Sequence, residues 1–469
     1  MSNLYDSYKY LTLHIILGPN SISYFIPFFL FPLALLIPPS IASQLQLSCI
    51  FLPLIYACTI HTWIWGGGID VISANLALWS TVLIALQDCR GTYKRIHVQA
   101  LSPSKAHEAK TPKNNTLTHT SEENQNDTPA KEPGDWEEPY PHDLYNRLCW
   151  VLTLLASIRL GYWKIADPHH DKTQPPARLT RTAFLCRAGS IIIHSYLILD
   201  TAAFYSHNDP YFTRADIGID SPLVLSPTAP PFLSLTLQYI PIPPRLLRSS
   251  ALGAQIYSTI TLGGALGIPL LVLVNRLGLI PTIWSPHAWP LFFGPFSAVL
   301  DRGLRGLWGT WWHQTMRYPT SLPGRSLAHS LRIPTRSTKD YALRTLSAFF
   351  FSGIIHTGLV PPQPLYATLP TYQIRLSIAL FFWLQALGFG LEMLVSKLAR
   401  QIYPNANADI SRTWLAKIAT AAWVLAWLCM TLPILGVGLK ELGYGRVYPV
   451  PVSVWRGLGG CGWWTWTWM

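Results

Sequence analysis

Long apolar runs separated by short polar turns dominate the chain. A bilayer core takes about 20 apolar residues as helix. By that rule eight runs read as spans: Ser21–Pro38, Gln46–Trp65, Val71–Leu86, Ala183–Tyr205, Ala251–Val274, Leu343–Val360, Leu376–Val395 and Trp414–Val437. Two further runs leave alternatives open. Leu148–Trp163 carries Arg159 and reads as a span or as an interfacial helix. Trp284–Leu300 holds Pro286, Pro290 and Pro295 and reads as a broken or re-entrant helix. The expectation is an all-α, polytopic transmembrane protein of about eight to ten spans. The first run lacks a basic segment before it and a second run follows at once, so it reads as a span rather than a cleaved leader.

Two polar stretches interrupt this pattern. Residues 88–147 form the first, and the middle, Ser102–Pro139, has too few aliphatic residues to pack and is expected to be disordered. Sequons at Asn114 and Asn126 lie in it and matter only if it is luminal. The second is Asp301–Arg344, where Arg302, Arg305, Arg317, Arg325, Arg332, Arg336, Lys339 and Arg344 face only Asp301 and Asp340. Basic residues so dense beside spans are expected on the cytosolic side. Four crossings separate the stretches if both open runs span, which would make both cytosolic. The chain thus divides into N-terminal spans (1–87), a polar loop (88–147), middle spans (148–283), a chemically richer region (284–361) and C-terminal spans with a tail (362–469).

Composition sharpens the class. The 469 residues are 50% hydrophobic and 12% charged, with mean hydropathy +0.25. Soluble domains carry roughly 25% charged residues. The net charge of +12 sits in loops between apolar runs, so positive-inside topology explains it and no nucleic-acid partner is expected. The seven Cys form no Cys-x-x-Cys pair and imply neither a metal site nor a disulfide framework.

Candidate chemistry concentrates between Trp284 and Pro361. His356 lies within an apolar run, with Ser352 one turn before it and Gly353 beside that. Intramembrane ionisable groups are costly and tend to line cavities. A neutral imidazole in such a place can accept a hydroxyl proton. The bland alternative is a buried His bonded to a neighbouring helix, and His14, His61 and His194 also lie in or near apolar runs. His313 sits in a Trp-rich, Arg-flanked segment. It reads as part of an interfacial aromatic belt, or as part of a polar cluster for an anionic ligand.

Residues Leu304–Arg317, containing Arg305, Trp308, Trp312-His313-Gln314 and Arg317, resemble the "S-L-R-x-F-W-x-x-x-W-H-Q-x-x-R" block of wax-synthase-domain proteins, a family akin to the membrane-bound O-acyltransferases. Phe349–Gly358 resembles the same family's "F-x-x-S-G-x-x-H" helix at similar spacing, and Arg159–Trp163 is a poorer echo of an upstream "R-G-x-G-W" element. The resemblance implies a catalytic His356 and His313, and substrate or CoA contacts at Arg305, Trp308, Trp312, Gln314, Arg317 and Ser352. It departs at Thr357, where an acidic residue often follows the His. It further implies acyl transfer from an acyl-CoA co-substrate, acetyl-CoA in the fungal members, to a hydrophobic alcohol such as a terpenoid or meroterpenoid. A long-chain wax ester synthase is the close alternative. No permanently bound cofactor or metal is implied, and the endoplasmic reticulum membrane is the expected site.

Other chemistries leave little trace. No Gly-x-Ser-x-Gly elbow, Gly-rich phosphate loop or His-Glu-x-x-His helix is present. A transporter would show paired broken helices in matching halves, whereas the polar features here crowd into one stretch. A membrane terpene cyclase would need paired carboxylates, and Asp200 and Glu392 are well separated in sequence.

Overall fold

The computed structural model describes residues 21–65, 70–97, 136–157, 163–165, 180–214, 216–227, 229–239, 242–278, 293–402 and 413–465. The sequons, His14 and Arg159–Tyr162 lie outside these residues, as do residues 284–292 and most of 102–139.

The chain is an all-α integral membrane protein. Among the described residues, five helices are long and apolar enough to cross a bilayer: α2 (Gln44–Trp65), α6 (Arg181–Asn208), α8 (Pro244–Arg276), α12 (Thr371–Ile402) and α13 (Trp414–Glu441). Shorter apolar helices are α1 (Ser21–Leu36), α3 (Val71–Ser80), which runs on through a wider turn over Thr81–Leu86, and α5 (Leu144–Ala156). Between them lie the short α4 (Cys89–Thr92) and α7 (Pro231–Tyr239). The run at Leu343–Val360 belongs to α11 (Thr338–Thr357), whose first turns carry Lys339, Asp340 and Arg344. Helix starts follow side-chain capping. Thr180, Ser337 and Thr413 hydroxyls accept the amides of Ala183, Asp340 and Ala416.

The run Leu148–Trp163 is not one helix. α5 ends at Ala156 after 13 residues, about 20 Å and too short for the bilayer core. Trp163 belongs instead to β3 (Trp163–Ile165), which pairs with β1 (Tyr93–His97). β1 pairs on its other side with β2 (Trp136–Glu138), giving antiparallel order β2-β1-β3. β2 falls within the tract expected to be disordered. The sheet packs into an N-terminal core with Phe31, Leu47, Ile55, Trp150 and, from far along the chain, Leu322.

The C-terminal half completes the molecule with α9 (Ser297–Gly306), α10 (Arg317–Ser330) and a final α14 (Val454–Leu458). One core joins α6, α8, α12 and α13. Another packs α9, α11, α12 and α13 around Leu304, Phe349, Phe389 and Trp427. Beneath the first lies a fully buried ion pair. Arg248 Nε meets Asp209 Oδ2 at 2.8 Å, and Arg248 Nη1 donates to the carbonyls of Gly218, Ile219 and Ser221. So complete a shell of bonds is what makes a buried charge tolerable.

Candidate active site

The site begins at a break. Gly303 takes φ +62 inside α9, a backbone conformation that suits glycine. The chain restarts as helix with unbonded amides, and Glu392 of α12 supplies the acceptor. Glu392 Oε1 accepts from the Leu304 amide at 2.5 Å and from Trp423 Nε1 at 2.9 Å, while Oε2 accepts from the Arg305 amide at 3.2 Å. Thus Glu392 is committed to capping. Asp200 Oδ2 accepts from the Val454 and Trp455 amides.

The restarted helix opens into a wider turn, Leu307–Trp311, that turns Trp308 and Trp312 inward. Gln314 fixes the turn: its Nε2 donates to the carbonyls of Trp312 at 2.6 Å and Trp308 at 3.2 Å. Trp308 Nε1 in turn donates to the fully buried Gln385 at 3.3 Å, an anchor the sequence reading missed. Arg317 Nη1 reaches the Gly309 carbonyl at 3.1 Å.

α10 and α11 then fold back on each other. They meet at Gly324, where a Cβ would lie 2.4 Å from the Leu343 carbonyl oxygen. The Gly324 amide donates to Ser347 Oγ at 3.0 Å. This close crossing sets the next residue, Arg325, beside Arg344, near enough that the second charge, after burial, lowers the Arg325 pKa.

These elements enclose a cavity of about 370 Å³. Arg317, Arg325 and Arg344 line it; aromatic walls come from Trp308, Trp312, Tyr341, Phe349, Phe382 and Phe389; His313, Ser352 and His356 face in. Seven of the eight expected site residues therefore meet in one place: His356, His313, Trp308, Trp312, Gln314, Arg317 and Ser352. Arg305 does not. Its amide and its guanidinium, 3.8 Å from Glu392, are both turned to the helix cap. Arg325 and Arg344 were visible only as basic-loop residues, because the pairing depends on the α10–α11 crossing. Trp163 packs edge-on against Trp150, with ring centroids 4.7 Å apart and Nε1 bonded to Ser157, outside this cavity.

His356 stacks on Phe382, ring centroids 4.1 Å apart. Its Nδ1 lies 2.7 Å from the Ser352 carbonyl oxygen. A carbonyl only accepts, so Nδ1 carries the proton and the neutral ring has its lone pair on Nε2. His313 bonds Thr315 Oγ1 through Nδ1 at 3.0 Å. Burial, and behind it the nearby His356, draws the His313 pKa down to about 4.

A lone-pair nitrogen, a second neutral imidazole and three guanidiniums thus line one aromatic chamber. Residues 289–384 match the Membrane bound O-acyl transferase family. Over that stretch the chain is similar to membrane-bound O-acyltransferases, and beyond it to fungal acetyltransferases. It is 23% identical to acetyltransferase eriL of Hericium erinaceus over 67% of this chain and 72% of that one. It is 25% identical to acetyltransferase aurG of Calcarisporium arbuscula over 68% and 72%. With acetyltransferase nanB of Aspergillus nanangensis it shares 29% identity over 32% of this chain and about a third of that protein's length. No solved structure matches the chain.

Proposed function

We propose that this protein is a membrane O-acetyltransferase of secondary metabolism, moving acetyl from acetyl-CoA to a hydroxyl of a terpenoid or meroterpenoid. The observation that carries the reading is the single cavity holding His356, His313 and the three arginines. Guanidiniums suit the phosphates of a CoA thioester, which would leave the thioester end toward the histidines. His356 Nε2 takes the hydroxyl proton as the alcohol oxygen attacks the thioester carbonyl carbon. The C–S bond breaks, and the proton passes from His356 to the departing thiolate. His313, neutral at cytosolic pH, serves as a hydrogen-bonding group for the carbonyl oxygen. Gln314, Trp308 and Trp312 shape the chamber and Ser352 orients His356. Transfer is direct, since no Ser or Cys nucleophile with an adjacent base is part of the reading. The basic stretch 301–344 faces the cytosol, where acyl-CoA is made, and the endoplasmic reticulum is the proposed membrane.

Membranes containing the full chain, given labelled acetyl-CoA and a panel of terpenoid alcohols, should yield labelled acetate esters. Longer acyl-CoA thioesters belong in the same assay. Absence of any ester, with the protein present in the membrane, would overturn the reading.

A further inference from the structure

Four buried polar side chains lie near the C-terminal end of α11, past His356, and the reaction above leaves them unused. Asp70 opens α3 and is 2% exposed, yet no well-aligned hydrogen bond reaches either carboxylate oxygen. Ser73, one turn on, is 0% exposed with its hydroxyl unbonded. The Trp63 indole nitrogen at the end of α2 and Arg375 Nε at the start of α12 are buried and unbonded as well. Backbone contacts hold the group together. The Asp70 amide donates to the Gly358 carbonyl at 2.7 Å, an approach a side chain at 358 would obstruct. Arg375 Nη2 donates to the carbonyls of Trp63 at 2.7 Å and Val360 at 3.1 Å, and its charge acts on Asp70.

Buried polar groups are nearly always bonded, and each exception calls for an explanation. The atoms here form a mixed set. Trp63 and Arg375 offer N–H donors, Asp70 offers lone pairs, and Ser73 offers both. The two charges are opposite. A cation or an anion would lie against its like, whereas a hydroxyl both donates and accepts. The position suits a long acceptor. Gly358 follows His356 by two residues. On α12, Phe382 stacks on His356 and follows Arg375 by seven residues, two turns along one face and about 10 Å.

We propose that Asp70, Ser73, Trp63 and Arg375 bind a second, neutral hydroxyl of the acceptor, carried about 10 Å from the one that is acetylated. The proposal rests on the acetyl-transfer reading and narrows its substrate to an apolar skeleton oxygenated at both ends.

The test assays membranes bearing the full wild-type chain, Asp70→Asn or Arg375→Gln with labelled acetyl-CoA. Rigid terpenoid diols with oxygens about 10 Å apart are compared with the matching mono-alcohols. A site built to bond a hydroxyl rejects the analogue lacking it, so wild type should favour the diol by at least about 100-fold in kcat/KM. Both variants should bring the diol down toward the mono-alcohol, through KM for the acceptor rather than KM for acetyl-CoA. A ligand role also has its own stability signature. Burial pushes Asp70 up to about 7, against the pull of the Ser73 amide and Arg375, so at pH 8 the fold carries an ionised, buried and poorly bonded carboxylate. Asp70→Asn should therefore keep or raise the melting temperature at pH 8. A structural pin would instead lose stability and turnover with both acceptors, and that result would overturn the proposal. Equal use of diol and mono-alcohol by wild type would overturn it while sparing the acetyltransferase reading. No transfer to any alcohol would defeat both.

Discussion

At the scale of single residues, two histidines in this chain are locally alike. His194 Nδ1 lies 2.7 Å from the Ser190 carbonyl oxygen with Ser190 Oγ at 3.3 Å, and His356 makes the same contacts with Ser352 at 2.7 and 3.5 Å. The Ser-x-x-x-His spacing therefore cannot say which matters. His194 is exposed on α6, whereas His356 faces the cavity against Phe382. His356→Ala should lower kcat by roughly 10²–10⁴-fold with the protein still accumulating in membranes, and His194→Ala should keep near wild-type rates. Steady-state kinetics on matched membrane preparations checks both. His313 adds a pH signature. Its pKa is about 4 when folded and about 6.5 when unfolded, so the unfolded chain binds more protons between those values. Stability from this group is full above about pH 6.5 and is lost as pH falls toward 4. Melting temperatures of solubilised protein should show a shallower acid decline for His313→Gln than for wild type. The family resemblance, rather than residue types or spacing, named the seven residues that line the cavity. It also named Arg305, whose orientation follows from Glu392, 87 positions along the chain, and which lies outside the cavity lining.

At the scale of elements, hydrophobic length located the long helices well, since burial in a bilayer demands a run of that length whatever the packing. It failed at Leu148–Trp163, where an apolar run ends one element and begins another. It also missed the three strands among the described residues, whose pairing joins segments far apart in sequence. The break at Gly303 was equally hidden. Glu392→Ala would strip the acceptor from the Leu304 and Arg305 amides and the Trp423 indole. Each buried donor left alone costs about 1–3 kcal/mol. The expected outcome is a clear fall in melting temperature together with loss of turnover, because the turn bearing Trp308 and Trp312 follows directly. Glu392→Gln, which keeps one oxygen acceptor, should lie between the two.

At the scale of the whole molecule, the sheet ties the N-terminal core to the cavity wall. Tyr93, the first residue of β1, bonds Tyr318 at 2.7 Å and Gln87 at 2.8 Å, and Tyr318 lines the cavity. His97 and Trp136 are direct partners across β1 and β2. Cross-strand partners lie about 5 Å apart, a gap a two-residue turn closes. Replacing residues 98–135 with Asn-Gly should therefore preserve both melting temperature and acetyl transfer, measured side by side with the full chain.

The same pairing bears on what it takes to be one molecule. β1 sits between its two neighbours, and Leu322 of α10 is buried among residues of α1, α2 and α5. The peptide link between His97 and Trp136 is thus one connection among many. Two separately translated polypeptides, ending at 97 and beginning at 136, should find each other in the membrane and reassemble. A tag on either fragment should then recover its mate and the activity together.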